Sequence, residues 1–301
     1  MQTSHDRLSL CIDGLSVGDA FGEMFFGSPN SARSCIAKNQ LPPGNWYYTD
    51  DTELALAIVD VLREKGHIDQ DMLAERFALR FQAEPDRGYG KGTRIFCEYV
   101  NLKVPWRTAH SMAFKQGSMG NGSAMRVAPV GAWFADAVPE VIADEARKSA
   151  EITHHHPEGI AGAIAVALAT ATACQMREQN ADKATTGQRI FETLFAHVPQ
   201  SKVLDGIRTA FALDPNTADS YQAAKILGNG FAVSCPDTVP YVIWSACRNI
   251  DDYCEAILNT LSGGGDTDTT CAMVGGIVAM YAGRESIPPQ WLSSREKLKF
   301  W

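Results

Sequence analysis

The sequence has little to offer a disulfide framework, a membrane or a polyanion. Its eight cysteines, at 11, 35, 97, 174, 235, 247, 254 and 271, form no CxxC pair and keep no regular spacing. Several fall in apolar helix-like runs, where small buried thiols belong in a reducing compartment. No window of about eighteen residues is apolar without polar interruption; the nearest, Gly159 to Cys174, is rich in Ala, Gly and Thr and suits tight helix packing. The opening MQTSHDRLSL is polar and lacks the apolar stretch of a secretory leader, which sets the cytoplasm as the expected location. No stretch gathers enough Lys and Arg to track a nucleic-acid backbone, and the net charge is −8. Alternating β-branched strands with hairpin turns are scarce.

What is present is an ordinary folded composition, with 301 residues, 45% apolar and 21% charged, enough to bury a full core. Apolar residues recur at helical spacing nearly everywhere. Leu54, Ile58, Val61 and Leu62 make one stripe, and Met72, Leu73, Phe77 and Phe81 another. Further helices are expected near 139–152, 157–178, 187–197, 200–213, 219–227, 239–248, 251–261 and 270–282, with longer non-helical stretches at 26–50, 84–93, 115–123 and 262–269. No repeat, low-complexity tract or linker interrupts the chain. The expected fold is all-α, one compact domain over residues 1–301.

Two acid-and-hydroxyl clusters stand far apart in this sequence, each ahead of a helix-like run. Thr49-Asp50-Asp51-Thr52 precedes Glu53 to Glu64, and Gly263-Gly264-Gly265-Asp266-Thr267-Asp268-Thr269-Thr270 precedes Cys271 to Tyr281. Either can cap its helix. A cap needs one such residue, however, and adjacent carboxylates repel unless a cation lies between them. Oxygen-only donors suit Mg²⁺ or Mn²⁺ rather than zinc or copper. Asp266 and Asp268 are expected on one side of an extended segment. If the fold joins the clusters, four carboxylates and two hydroxyls can hold two metals.

Other motifs read two ways. Gly117 to Arg126 is a glycine-rich turn feeding a short helix, either an anion nest or a loop needing positive φ. Arg87 to Thr93 reads as a turn, with a substrate-facing role open. Thr153-His154-His155-His156-Pro157-Glu158 has no partners for a zinc tetrahedron; one ring facing a cleft is the expectation, with Glu158 compensating a helix dipole. Gly14, Gly18 and Gly22 mark a helix built for close contact, on which Asp19 and Glu23 lie one turn apart as either a solvated stripe or a pair containing a base.

In order, GLSVGDAFGE, YTDDTELALA, GNGSAMRVAPVG, THHHPEG and GGGDTDTT resemble the ADP-ribosylglycohydrolase family over residues 8 to 283. That family includes the enzyme reactivating dinitrogenase reductase and the eukaryotic ADP-ribosyl-acceptor hydrolases. The resemblance implies a compact orthogonal helical bundle, two Mg²⁺ or Mn²⁺ ions, and a protein substrate carrying ADP-ribose on a side chain, arginine foremost. It carries over Thr49, Asp50, Asp51, Asp266, Asp268 and Thr269 as metal ligands. Ser118, Met119, Gly120, Asn121 and Gly122 become the pyrophosphate and ribose cradle, and His154 faces ADP-ribose. Many members have a glutamate seven residues beyond the aspartate of their GDA motif, where this chain has Phe26. Glu23, or a metal-bound aspartate among Asp50, Asp51 and Asp268, is then the candidate catalytic carboxylate.

The resemblance implies hydrolysis at the ribose anomeric carbon, through an oxocarbenium-like state that needs positioned carboxylates and a water. Two other classes stay open: hydrolysis of another conjugate (serine-linked, nucleobase-linked or a free nucleotide derivative), and non-catalytic binding, as by an immunity partner of an ADP-ribosylating toxin.

Overall fold

The computed structural model describes residues 2–28, 31–38, 40–115, 117–213 and 218–299. Positions 29–30, 39 and 116 of the expected non-helical stretches therefore lie outside the described residues. The helices are α1 (Ser4–Met24), α2 (Ser31–Ala37), α3 (Asp50–Lys65), α4 (Gln70–Ala83), α5 (Lys91–Asn101), α6 (Trp106–Ala113), α7 (Gly122–Met125), α8 (Ala128–Trp133) and α9 (Pro139–Glu151). They continue as α10 (Pro157–Glu178), α11 (Lys183–His197), α12 (Lys202–Ala212), α13 (Ser220–Leu227), α14 (Cys235–Arg248), α15 (Tyr253–Ser262), α16 (Thr267–Ala282) and α17 (Pro289–Ser294). Among the described residues the only β pairing is two isolated bridges, Trp46 with Arg295 and Gly120 with Ser234. The expected all-α class holds.

Local chemistry sets the helix ends. Thr3 and Asp6 form a capping box on α1, and the side chains of Asp69, Asp182, Ser201 and Asp252 accept from first-turn N–H groups of α4, α11, α12 and α15. Gly66 closes α3 in the left-handed conformation, with φ of 75°.

Helices α1 and α16 form the centre. Gly14, Gly18 and Gly22 repeat every four residues along one face of α1, and each touches backbone of α16. A Cβ on Gly14 would lie 2.4 Å from the Gly275 carbonyl oxygen, on Gly18 2.2 Å from that of Cys271, and on Gly22 2.4 Å from that of Thr267. The partner numbers fall as the glycine numbers rise, so the helices run antiparallel. The C-terminal end of α1 therefore lies beside the N-terminal end of α16. The Tyr253 hydroxyl donates to the Gly14 carbonyl at 2.6 Å, and the Thr267 hydroxyl to that of Gly22 at 3.1 Å. Around this pair the core is continuous, from Leu8 on α1 to Trp291 on α17. Helix α10 is long and apolar enough to cross a membrane, but 89% of its most apolar window is buried inside the protein.

Several boundaries differ from expectation. Helix α2 occupies part of a stretch expected to be non-helical. Helices α3 and α16 begin three or more residues early, because their polar first turns carry no apolar periodicity and face each other instead. Asp266 and Asp268 are consequently not on an extended segment: Asp266 is the N-cap, with φ −82° and ψ 76°, and Asp268 lies in the first helical turn. Helix α14 starts at Cys235 and holds Pro240 internally. Gly206 of α12 leaves room there, since a Cβ on it would meet Pro240 Cγ at 2.4 Å.

The α1–α16 contact yields a direct prediction. Gly18→Ala puts a methyl into a carbonyl that cannot withdraw, and is expected to cost about 3 kcal/mol of stability, read as a lower urea midpoint. A loss below about 0.5 kcal/mol would mean that the two helices separate freely.

Candidate metal and ligand cleft

The antiparallel centre brings the two acidic clusters together. The Thr269 hydroxyl donates to Asp51 Oδ2 at 3.3 Å across a separation of 218 residues. Asp50, Asp51, Asp266, Asp268 and Thr269 line one cleft of about 270 Å³ with Ser118, Gly120, Asn121, Gly122 and His154. Asn121 ties the two walls: its side-chain amide donates to Asp266 Oδ2 at 2.7 Å.

Beneath the cleft, Asp19 organises the first cluster. Its carboxylate accepts from the Thr49 N–H at 3.0 Å, the Thr49 hydroxyl at 2.9 Å, the Thr52 N–H at 3.1 Å and the Thr52 hydroxyl at 2.5 Å. The α3 first turn is thereby clamped to α1, and Asp50 and Asp51 are presented upward. Burial pushes the Asp19 carboxyl up to about 7 against the pull of these donors.

The aspartates above it are short of partners. Asp51 is 1% exposed and Asp50 9%. Burial first, then the charge of Asp19, raises Asp50 to about 7 and Asp51 well above the usual carboxylate range. Asp268 is raised likewise by burial and by Asp266. Asp51 Oδ1 and Asp268 Oδ1 are buried with no hydrogen-bond partner. A buried carboxylate oxygen without a donor is costly and needs a proton or a cation. Hard-oxygen donors of this kind fit Mg²⁺ or Mn²⁺. Among the described residues no three carboxylate, imidazole or thiolate groups already form a closed cage. Instead Asp51 Oδ2 is drawn to the Thr269 hydroxyl and Asp266 Oδ2 to Asn121, a spread that carboxylate repulsion favours.

Three sequence candidates are placed differently. Thr49 lies under the floor, its hydroxyl 2.9 Å from Asp19 Oδ1 and 3.1 Å from Asp51 Oδ2, and it caps α3 as well. Met119 is 44% exposed and does not line the cleft; its carbonyl accepts from the Cys235 N–H at 2.9 Å. Glu23 also stays outside the lining: its side chain is exposed near the end of α1, although Asp19, one turn earlier, is buried. Burial, with help from the Asp266 charge, still raises its carboxyl. Phe26 is exposed beyond it.

The 117–126 turn is a cleft wall, although one of its N–H groups is spent internally, Gly120 donating to Ser118 Oγ at 3.0 Å. Of the three histidines only His154 is buried and faces the cleft, as expected. His156 caps α10, its Nδ1 accepting from the Glu158 N–H at 3.1 Å. Glu158 does more than offset a dipole: its carboxylate accepts from the N–H groups of Lys202 and Val203 at 2.9 and 3.0 Å, capping α12.

Sequence reasoning left 87–93 open between a turn and a substrate-facing loop, and gave Phe114 and Val233 no part in the wall. Gly88, Gly90, Gly92 and Thr93 line the cleft, anchored because the Asp50 N–H donates to the Arg87 carbonyl at 2.7 Å. Phe114, Met125 and Val233 complete it. Val233 belongs to a loop whose Asn229 carbonyl accepts the Asp266 N–H at 3.0 Å and whose Gly230 packs on Asp266. A signal for that loop exists in the sequence: Gly228-Asn229-Gly230 repeats the triplet of Gly120-Asn121-Gly122.

A family profile described as ADP-ribosylglycohydrolase matches residues 1–300. The chain is similar to ADP-ribosylhydrolase ARH3 of Mus musculus, at 29% identity over 337 residues, spanning 97% of this chain and 88% of that protein. It is also similar to ADP-ribosylhydrolase ARH3 of Gallus gallus, at 30% identity over 339 residues, spanning 96% and 89%. Among solved structures, one described as an ADP-ribosylglycohydrolase-related protein complex shares the fold, with a TM-score of 0.67 and 23% identity over 98% of this chain and 94% of that one.

Burial of these carboxyls, aided by their crowding, predicts a pH dependence. Asp19, Asp50, Asp51 and Asp268 bind protons more tightly folded than unfolded, so their contribution is full at low pH and declines as pH rises from about 4 through 7. His154, lowered by burial, acts in the opposite sense, but it is one group against four. In chelator, stability is expected to fall by at least about 1 kcal/mol between about pH 5 and 7.5, and saturating Mg²⁺ or Mn²⁺ is expected to reverse the fall. A urea midpoint that instead rises across this interval in chelator would contradict the raised carboxyls.

Proposed function

This chain belongs to the ADP-ribosylglycohydrolase family, and from that premise we propose that it is a metal-dependent hydrolase releasing ADP-ribose from a modified protein side chain. One observation carries the reading: two remote aspartate clusters share a cleft with buried, unpartnered oxygens on Asp51 and Asp268. Two Mg²⁺ or Mn²⁺ ions, when bound, would be held by Asp50, Asp51, Asp266, Asp268 and Thr269, with Thr49 from below, and would supply Lewis-acid stabilisation of charge on the ribose and its attacking water.

The chain's own groups divide the remaining work. Asp51 or Asp268, each with a free oxygen in the cleft, takes the proton of the attacking water and returns a proton to the side-chain atom that leaves the anomeric carbon. The negative cluster as a whole opposes the positive charge that develops on the ribose ring. Ser118, Asn121, Gly122 and His154 line the opposite wall, where hydroxyl, amide and imidazole groups suit the diphosphate. At about 270 Å³ the cleft is at or below the small end of ligand pockets, about 300–1,000 Å³. It takes the reacting ribose and the diphosphate and leaves the rest of the conjugate towards solvent.

Arginine as the acceptor follows from family resemblance. A second reading, an O-glycosidic link to a hydroxyl side chain such as serine, is favoured by the lining itself. Among the described residues no carboxylate outside the four aspartates lines the cleft to receive a guanidinium.

The two separate by product analysis. Arginine- and serine-linked ADP-ribosyl peptides, incubated with the protein and Mg²⁺ or Mn²⁺, are expected to yield intact ADP-ribose and unmodified peptide by mass spectrometry, the faster substrate naming the acceptor. AMP or phosphate as product would replace the proposal with phosphoester hydrolysis. Asp268→Asn is expected to lower turnover by at least about 100-fold while melting near the wild-type temperature. Wild-type rates in that variant at saturating Mg²⁺ would remove Asp268 from the reaction.

A further inference from the structure

Arg126 is wholly buried, and the function proposed above gives it no part. It stands behind the cleft wall with its guanidinium carbon 4.4 Å from the centre of the Phe77 ring, and its Nε and Nη1 have no partner. Its Nη2 donates to the Ser149 carbonyl at 3.1 Å and to the Thr153 hydroxyl at 2.8 Å. The Thr153 hydroxyl in turn lies 2.7 Å from His154 Nδ1. On the far side of the ring, Nε2 packs against the glycine turn: a Cβ on Gly120 or Gly122 would lie 3.1 or 3.2 Å from it.

Proton counting orients this chain of contacts. A guanidinium only donates, so the Thr153 oxygen is the acceptor in its bond to Arg126. That hydroxyl has one proton to give, and Thr153 is 0% exposed, so water does not receive it. Its one other partner is His154 Nδ1. Were Nδ1 protonated, imidazole and guanidinium would both donate to the same oxygen and the buried hydroxyl proton would have no acceptor, a costly arrangement. The order Arg126 to Thr153 to His154 leaves Nδ1 bare and the ring proton on Nε2.

We infer that Arg126 and Thr153 are positioning residues that fix His154 as a neutral Nε2–H donor aimed across the glycine turn at a diphosphate oxygen of the bound ligand. The ligand half of this inference rests on the function proposed above; the tautomer does not. A bare Nε2 facing the same oxygen would repel it lone pair to lone pair, so the relay sets whether this wall attracts or rejects the diphosphate.

Nitrogen-15 NMR of the ligand-free protein, with His154 assigned by its loss in His154→Gln, reads the tautomer without substrate. The wild type is expected to show a protonated Nε2 and a bare Nδ1. Thr153→Val keeps the shape and removes the relay; it is expected to give mixed or reversed tautomers and about tenfold weaker ADP-ribose binding by calorimetry. In turnover the change should fall on KM more than on kcat. Thr153→Ser restores the hydroxyl and is expected to restore both signals, which a packing role alone would not do. A wild-type ring protonated on Nδ1, or a Thr153→Val protein with unchanged tautomer and affinity, overturns the inference. A protein with the expected tautomer that hydrolyses no ADP-ribose conjugate overturns the proposed function and leaves the relay standing.

Discussion

Backbone contact between α1 and α16 is the constraint on which the rest depends. Glycines spaced four apart leave no side chain on the facing stripe of α1, so carbonyls of α16 occupy that space. Contact this close fixes register as well as distance, because sliding by one residue would drive a side chain into a carbonyl. With the register fixed, the antiparallel direction carries Asp19 at one end of α1 to the same level as Asp266 and Asp268 at the start of α16. The acidic clusters meet because these two helix ends are held level and Asp19 ties the first turn of α3 to the α1 end.

Asp19 converts this helix packing into site geometry. It lies between Gly18 and Gly22, so its position is set by the tightest part of the contact, and four donors from Thr49 and Thr52 transmit that position to α3. The arrangement is stressed electrostatically: the clamp is itself a buried carboxylate, and its charge helps raise the Asp50 and Asp51 carboxyls above it. A core built for stability alone would place neutral hydroxyl or amide groups there. Rigid packing underneath tolerates a repulsive cluster that a flexible loop would disperse.

Some of this was legible in the sequence. The glycine spacing on α1, the two acid-and-threonine clusters and the glycine turn at 117–126 are local patterns whose chemistry survives without coordinates, and the helical periods of α9 and α10 gave their bounds within a residue. The starts of α3 and α16 were not legible, because polar first turns carry no apolar period and their burial is tertiary. The same cause hid the difference between Asp19 and Glu23: one turn apart on α1, they separate because α3 covers Asp19 through Thr49 and Thr52 while Glu23 stays exposed. Glu158 read as a dipole partner of its own helix, while its real donors, Lys202 and Val203, lie on another element. The wall at 88–93 and the Val233 loop were hard to see because glycines contribute absence of bulk, which looks the same in a turn and in a cleft.

The proposed function asks an acidic protein to receive a diphosphate, and the lining of the cleft bears on how it could. That lining contains no Lys or Arg among the described residues, and Arg126, next in the chain to the lining residue Met125, is buried with its guanidinium pulled down to about 9. An anion entering here meets glycine backbone, hydroxyls, an amide and a neutral imidazole on one side and four carboxylates on the other. Such a wall attracts phosphate only if its donors are correctly turned and the carboxylate charge is offset by cations. The sealed guanidinium, the Thr153 hydroxyl and the His154 ring then act as one device: the positive charge stays out of the cleft, where it would compete for the aspartates, and its orienting effect reaches the ligand through two hydrogen bonds. On the proposed function, divalent cations and oriented neutral donors would be complementary requirements of the same cleft.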